Sequence, residues 1–350
     1  MKTIAVHHVL RAAICHALFG LSIGAHAASQ TTQFLLDGQV NRGGSYVLSD
    51  LQTLPAATQT VSFQTGKGPQ THTFIGTSLW NVLDTAGIQN NAAVKNDVLN
   101  KYVLATGSDG YKAVYSLGEL SPNFGNEKAL IAYAEVVNGA TVSLGADGFA
   151  RTTAPLDLKG GRYVSNLSRL TVQGSASTQA SSGGGVSTSF SVTGDVMQSL
   201  SFNLAALQAL PQISRTVGSD TFTGVSLWGL LSNATGLATD PAVKNDVLGM
   251  YVVATGSDGY KALFSLGELS PDFGGQPDLI AFDRNGTGLG SNGFARIIAA
   301  NDVKAGRWVS NLTSLEVFHA VSAPVPEPSI AVLMLAGVVL LAGRRLKLPR

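Results

Sequence analysis

The sequence predicts an α+β chain in which two tandem copies of one β-rich, mixed-sheet domain with short helices lie between a leader and a tail. Three observations predict this. The 40 glycines and a charged fraction of 13% favour many turns and few long, solvated helices. A block of motifs occurs twice in the same order. Short β-rich runs are joined by Asp-Gly turns and followed by helix-capping patterns.

Residues 1–27 read as a secretion leader. Lys2 and Arg11 precede an apolar run over 12–23, and Ala25-His26-Ala27 supplies the small-x-small pattern that signal peptidase cuts, here after Ala27. Cys15, the single cysteine, leaves with the leader, as do His7, His8, His16 and His26. The mature chain therefore has no disulfide, thiolate ligand or thiol nucleophile. The two ends also carry Lys2, Arg11, Arg344, Arg345, Lys347 and Arg350 but only one acid, Glu327. The formal charge of +1 for the whole chain thus becomes about −4 in the body, which has no electrostatic footprint for nucleic acid.

The copies span 28–172 and 189–319. FIGTSLW at 74–80 returns as FTGVSLW at 222–228, and VKNDVL at 94–99 returns at 243–248. ATGSDGYKA at 105–113 returns unchanged at 254–262, SLGELSP at 116–122 returns at 265–271, and GRYVSNL at 161–167 returns as GRWVSNL at 306–312. Such self-similarity marks a duplication of a complete folding unit. Within a copy, the runs 102–106 and 111–115 flank Gly107-Ser108-Asp109-Gly110, a hairpin signal because glycine reaches the positive φ of the turn. Ser116 and Glu119, like Ser265 and Glu268, have capping-box spacing. The apolar residues of 79–83 sit at helical spacing, with Gly87 as the stop. Residues 173–188 are Gly/Ser/Thr/Ala-rich and uncharged, which predicts a flexible coil tethering the copies loosely. A polar, proline-bearing spacer covers 320–328.

In the tail, Pro326-Glu327-Pro328 precedes an apolar run over 330–342 and the basic end Arg344-Arg345-Leu346-Lys347. The run is short for a stable span, and its basic end favours the cytoplasmic side. The triplet, apolar helix and arginine cluster resemble the PEP-CTERM sorting signal over 326–350. That resemblance implies transient membrane anchoring, processing by an exosortase-type enzyme, and delivery to the cell envelope, surface or extracellular matrix.

The copies themselves resemble the molybdopterin-binding domain of the sulfite oxidase family. The likeness rests on Phe74-x-Gly76-x-x-Leu79-Trp80-x-x-Leu83 with Ala86-Gly87, on Asp109-Gly110-Tyr111, Glu119-Leu120 and Leu130-Ile131-Ala132-Tyr133, and on Arg151 and Gly161-Arg162. It implies a mixed α+β fold in which a loop cysteine ligates molybdenum. The corresponding range, 55–74, holds Ser62, Thr65, Gly66 and Lys67 but no cysteine, and the range 211–222 of copy two also lacks one. Thiolate coordination is unavailable, so the family's redox role does not carry over by motif, and no cofactor is expected.

The candidate cofactor- or ligand-binding residues follow from the repeat. Asp109 and Tyr111, with Asp258 and Tyr260, make either a ligand-binding edge or ordinary turn chemistry beside a core tyrosine. Arg151 and Arg162, with Arg296 and Arg307, are guanidinium pairs suited to an anion. Their alternative is an ion pair with Glu119 or Asp157. Lys159 and Lys304 lie next to them. By resemblance, basic residues of this strand approach the pterin phosphate. His72 and His319 have no counterparts in the other copy and no evident nucleophile partner; two histidines also fall short of a zinc site. The glycine-rich run 286–290 precedes a strand rather than a helix and is not a phosphate loop. The expectation is a binding or adhesion module for an extracellular polysaccharide or a small anionic ligand, with duplication raising avidity. The alternative is a molybdopterin-dependent oxidoreductase.

Overall fold

The computed structural model describes residues 30–321. The cleavage point at Ala27, Cys15, the triplet Pro326-Glu327-Pro328 and the basic pair Arg344-Arg345 lie outside the described residues. Among the described residues, no helix is long and apolar enough to cross a membrane.

Copy one runs β1 (Gln33–Gly38), β2 (Gly44–Val47), α1 (Leu48–Gln52), β3 (Ala56–Thr65), β4 (Gly68–Ser78) and α2 (Leu79–Ala86). It continues through β5 (Lys101–Gly107), β6 (Lys112–Ser116), α3 (Leu117–Leu120), β7 (Leu130–Val137), β8 (Ala140–Ser143), β9 (Arg151–Thr152) and β10 (Leu167–Gly174). Copy two repeats the order with β11 (Ser189–Gly194), β12 (Leu200–Asn203), α4 (Leu204–Gln208), β13 (Gln212–Val217), β14 (Asp220–Ser226) and α5 (Leu227–Gly229). Then come β15 (Met250–Gly256), β16 (Lys261–Ser265), α6 (Leu266–Leu269), β17 (Leu279–Arg284), β18 (Thr287–Gly288), β19 (Arg296–Ile298) and β20 (Leu312–His319).

Each copy folds into two sheets. In copy one their orders are β2-β1-β10-β5-β6 and β3-β4-β7-β8, with β9 paired on β7. Copy two gives β12-β11-β20-β15-β16 and β13-β14-β17-β18, with β19 on β17. The first sheet of each copy is mixed, because β1 runs parallel to β10 and β11 to β20, while the second is wholly antiparallel. The result is the β-rich architecture with short helices that the patterning predicts.

Local signals act where they stand. β5 and β6 pair across the Asp109-Gly110 turn, with Gly110 at φ 83°. Both capping boxes form: Ser116 Oγ accepts from the Glu119 amide, and Ser265 Oγ from the Glu268 amide. α2 stops at Gly87, whose φ of 77° glycine reaches at no steric cost.

The copies do not hang loosely. β5 and β15 are buried along nearly their whole length because each has one face in its own core and the other against the opposite copy. Val103 and Ala105 face the copy-one core, whereas Tyr102, Leu104 and Val114 pack with Tyr251, Val253 and Leu263 in a separate cluster. The rings of Tyr102 and Tyr251 lie 4.8 Å apart. At about 2 kcal/mol per buried side chain, these six residues contribute on the order of 10 kcal/mol, enough to join the copies into one unit.

The reading of 173–188 as a loose tether is corrected too. The Ala176 amide donates to Tyr251 Oη at 3.0 Å, and Lys261 Nζ donates to the Ser177 carbonyl at 3.0 Å. The Ser182 and Gly184 amides both donate to the Ser257 carbonyl. A polar, glycine-rich strap is flexible only while its backbone groups lack partners, and here the edge of copy two supplies them.

Urea unfolding tests the shared core. A variant keeping only Trp80 reports copy one, and one keeping Trp228 and Trp308 reports copy two. The two transitions should have coincident midpoints, and Leu104→Ala should lower both together by about 2–4 kcal/mol.

Candidate functional site

The polar centre of the seam is built from the two capping boxes. Glu119 Oε1 accepts from the Ser116 amide of its own copy at 2.7 Å and from Ser265 Oγ of the other copy at 3.0 Å. Reciprocally, Glu268 Oε1 accepts from the Ser265 amide at 2.8 Å and from Ser116 Oγ at 2.9 Å. Each serine hydroxyl therefore caps its own helix and donates across the seam.

Arg162 and Arg307 complete this centre and face neither cavity of the seam. Arg162 is fully buried; its guanidinium grips Asp157 through two bonds of 2.9 and 2.6 Å and Glu119 through one of 2.7 Å. Glu127 stands 3.5 Å away. Arg307, 2% exposed, repeats the arrangement with Asp302 at 2.8 and 2.6 Å and Glu268 at 2.6 Å. The aliphatic stems also cross the seam. A Cβ at Gly118 would stand 2.5 Å from Arg307 Cδ, and one at Gly267 2.7 Å from Arg162 Cδ, so only glycine fits. Of the two alternatives for these arginines, the ion pair is the one observed.

Each guanidinium faces three acids, more than one positive charge balances. Burial pushes Glu127 well above the usual carboxylate range, with Glu119 and Asp157 adding to it against Arg162. In copy two burial raises Glu268 to about 8 and Asp278 to about 7, against the opposing pull of Arg307.

Arg151 and Arg296 sit elsewhere. Arg151 pairs with Asp147 and lies over the Phe74 ring at 5.2 Å. Arg296 lies over the Trp308 ring at 5.1 Å, and burial together with nearby Arg284 lowers its pKa. Asn292 stands in copy two where copy one has Asp147, and among the described residues Arg296 has no ion pair. The four arginines thus do not converge on one anion site.

What the seam does form is two cavities. The first, about 640 Å³, is lined by Asp109, Tyr111, Lys159 and Gly161 of copy one and by Lys244, Asn245 and Phe273 of copy two. The second, about 720 Å³, reverses the roles: Lys304 and Gly306 come from copy two, and Trp80, Lys95, Asn96 and Phe124 from copy one. Both have a volume typical of small-molecule sites. The same hydrogen-bond chain builds each. Asn245 Nδ2 donates to Tyr111 Oη at 2.9 Å, which donates to the Gly161 carbonyl at 2.8 Å. Asn96 Nδ2 donates to Tyr260 Oη at 2.9 Å, which donates to the Gly306 carbonyl at 2.6 Å. Burial raises the pKa of both tyrosines, and the asparagine amides oppose the shift.

The predicted pairs Asp109/Tyr111 and Asp258/Tyr260 therefore divide. Both aspartates accept from their tyrosine's amide at 3.0 Å, as a turn requires. Asp109 also lines the first cavity, whereas the Asp258 turn lies under the strap, with Ser181 and Gly184 against it. Sequence reasoning missed Lys95, Lys244, Asn96 and Asn245, although VKNDVL is identical in both copies. It also missed the partners of the histidines. His72 Nδ1 is 2.7 Å from Glu135, and His319 bridges Asp195 at 2.7 Å and Asp246 at 2.9 Å. No group of three or more His, Cys, Asp or Glu side chains among the described residues is arranged to hold a metal.

No protein-family model and no curated protein matches the chain. Among solved structures, the sulfane dehydrogenase SoxCD from Paracoccus pantotrophus is similar at 13% identity, over 85% of this chain and 80% of that one. The TM-score is 0.35, too low an overlap to assign a fold or a function.

Two outcomes test the buried centre. Arg162→Met strands three carboxylates and should cost about 3–5 kcal/mol in urea unfolding, whereas Arg296→Met, with no acid partner to strand, should cost under about 2 kcal/mol. The second concerns pH. Because folding raises the pKa of Glu268 and Asp278, the folded state holds protons that the unfolded chain releases. Their stabilisation is complete below about pH 4 and is lost as pH rises through about 7 to 8. The unfolding free energy should fall by about 2–4 kcal/mol between pH 5 and 8.5. His319, whose pKa is raised by Asp246 and Asp195 against the effect of burial, acts in the same direction. Asp278→Asn should remove only the Asp278 share of the slope and leave that of Glu268.

Proposed function

We propose that the chain is an exported, envelope- or surface-sorted protein whose two copies act jointly as a non-catalytic binding module for an anionic ligand. The observation that carries this reading is the make-up of the seam cavities, each of which draws one ammonium group from either copy. Lys95 and Lys244 have no ion-pair or hydrogen-bond partner among the described residues; Lys244 only stands over the Tyr111 ring at 6.0 Å. Neither cavity can form from one copy alone, so duplication here supplies a shared site rather than two independent grips on a flexible linker. Export and sorting rest on the leader at 1–27 and the tail at 326–350. Signal peptidase and an exosortase-type enzyme are the processing partners, and the tail anchors the chain at the membrane transiently.

The competing reading is a molybdopterin-dependent oxidoreductase of the periplasm or cell surface. In the resembling family, molybdenum is held by a thiolate from the range matching 55–74. That range here is the β3–β4 hairpin, which contributes Gln64, Thr65 and Gly66 to the first cavity and carries no sulfur. Arg162 and Arg307 are committed to carboxylates. These residues do not fit the cofactor.

Elemental analysis of mature protein purified from its native host decides between the two readings. Molybdenum should fall far below one atom per chain; a stoichiometric content would overturn the binding reading.

A further inference from the structure

The seam cavities are related by the duplication, yet they differ in charge. Lys159, in the first, is neutralised by Asp272 at 2.7 Å. Its counterpart Lys304, in the second, meets Asn123 in place of that aspartate, and its Nζ donates to Asn123 Oδ1 at 2.7 Å. Lys95 has no partner among the described residues. The second cavity therefore presents two ammonium groups against one lining carboxylate, Asp84.

Its other walls are equally specific in chemistry. Trp80, half-buried, lines it with an indole, while Asn90, Asn96 and Asn123 add amides that can both donate and accept. The cavity is roomy, about 720 Å³, and it lacks the hairpin that crowds the first. A sugar ring with an apolar C–H face suits the indole. Neighbouring hydroxyls suit the amides, and a carboxylate suits the lysines. Free phosphate would use the lysines but leave the indole and amides idle.

We infer that the second cavity binds a carboxylated pyranose, a hexuronate unit of an acidic polysaccharide, with its ring on Trp80 and its carboxylate between Lys95 and Lys304. This rests on the binding-module reading and narrows it to one ligand class at one of the two cavities. The first cavity, with Lys159 paired and the hairpin against it, is not the primary site.

The test uses the mature chain and short oligogalacturonates in titration calorimetry, with maltotriose, inorganic phosphate and the host's own extracellular polysaccharide as parallel probes. Saturable oligogalacturonate binding that weakens with salt, at least about tenfold tighter than maltotriose or phosphate, is the expected result. Lys95→Gln combined with Lys304→Gln should abolish that preference, while Lys112→Gln combined with Lys128→Gln, outside both cavities, leaves it intact. All four lysines are exposed, so unchanged thermal melting verifies the fold of both variants. Equal affinity for maltotriose, tighter binding of phosphate, or a preference abolished by Lys159→Gln combined with Lys244→Gln but not by the second-cavity variant would overturn the inference. Binding to the host polysaccharide without binding to oligogalacturonate would sink this inference alone. No binding to any probe would sink the module reading with it.

Discussion

Everything in this molecule depends on two glutamates that each serve both copies. Glu119 and Glu268 close a capping box at home, accept a hydroxyl from across the seam, and hydrogen-bond one of two buried arginines each. Buried guanidinium and carboxylate groups are costly to desolvate and tolerable only with nearly complete hydrogen bonding. A separated copy would expose Tyr102, Leu104 and Val114 and would leave Ser116 Oγ and Glu119 without their cross-seam partners. The seam therefore forms as a whole, and the lysines and asparagines lining the cavities take their positions from it. Ligand-sized space arises where residues of both copies line the same cavity.

At two clusters the copies have diverged by relocating ionisable groups rather than losing them. In copy one, Lys101 on β5 joins Asp97 at 2.9 Å and Gln39 at 2.9 Å. In copy two, Met250 takes the lysine's place, and His319 on the neighbouring strand joins Asp246 and Asp195. Its one-copy counterpart, Gly174, sits opposite Lys101 in the same register. The third acid of each arginine cluster has moved likewise, from Glu127 in copy one to Asp278 in copy two, where Gln276 and Ala129 fill the vacated positions. What is kept is the set of ionisable groups around each buried cation, and the position that supplies each acid is free to move.

This explains which features were legible in the sequence. The turn at Asp109-Gly110, both capping boxes and the stop at Gly87 depend on residues within a few positions of one another, and they formed as read. The seam depends on contacts spanning some 150 residues, such as Ser116 with Glu268. One signal did point to it. The runs at 102–105 and 251–254 are continuously apolar where a strand with one solvated face would alternate, and such runs mark burial on both sides. The arginines were ambiguous because a guanidinium suits a phosphate and a carboxylate equally, and only burial distinguishes the two. The lysines of VKNDVL passed unnoticed because exposed lysine is common; their place on a cavity wall is set wholly by the partner copy.

Fusion of the copies also has a consequence for specificity. In a symmetric homodimer of one copy, any change in a cavity wall would appear in both cavities, since a two-fold interface uses the same patch twice. In the fused chain, Asp272 can stay on one side while Asn123 stands on the other, and the β3–β4 hairpin can exceed β13–β14 in length without disturbing the second cavity. The shared centre cannot diverge in this way, because Ser116, Glu119 and Arg162 each need their counterpart's geometry, and there the two copies remain alike. Identity thus covers the serine–glutamate–arginine axis and the asparagine–tyrosine chains, while the cavities differ at single wall positions such as Asp272 and Asn123 and in the length of the neighbouring hairpin.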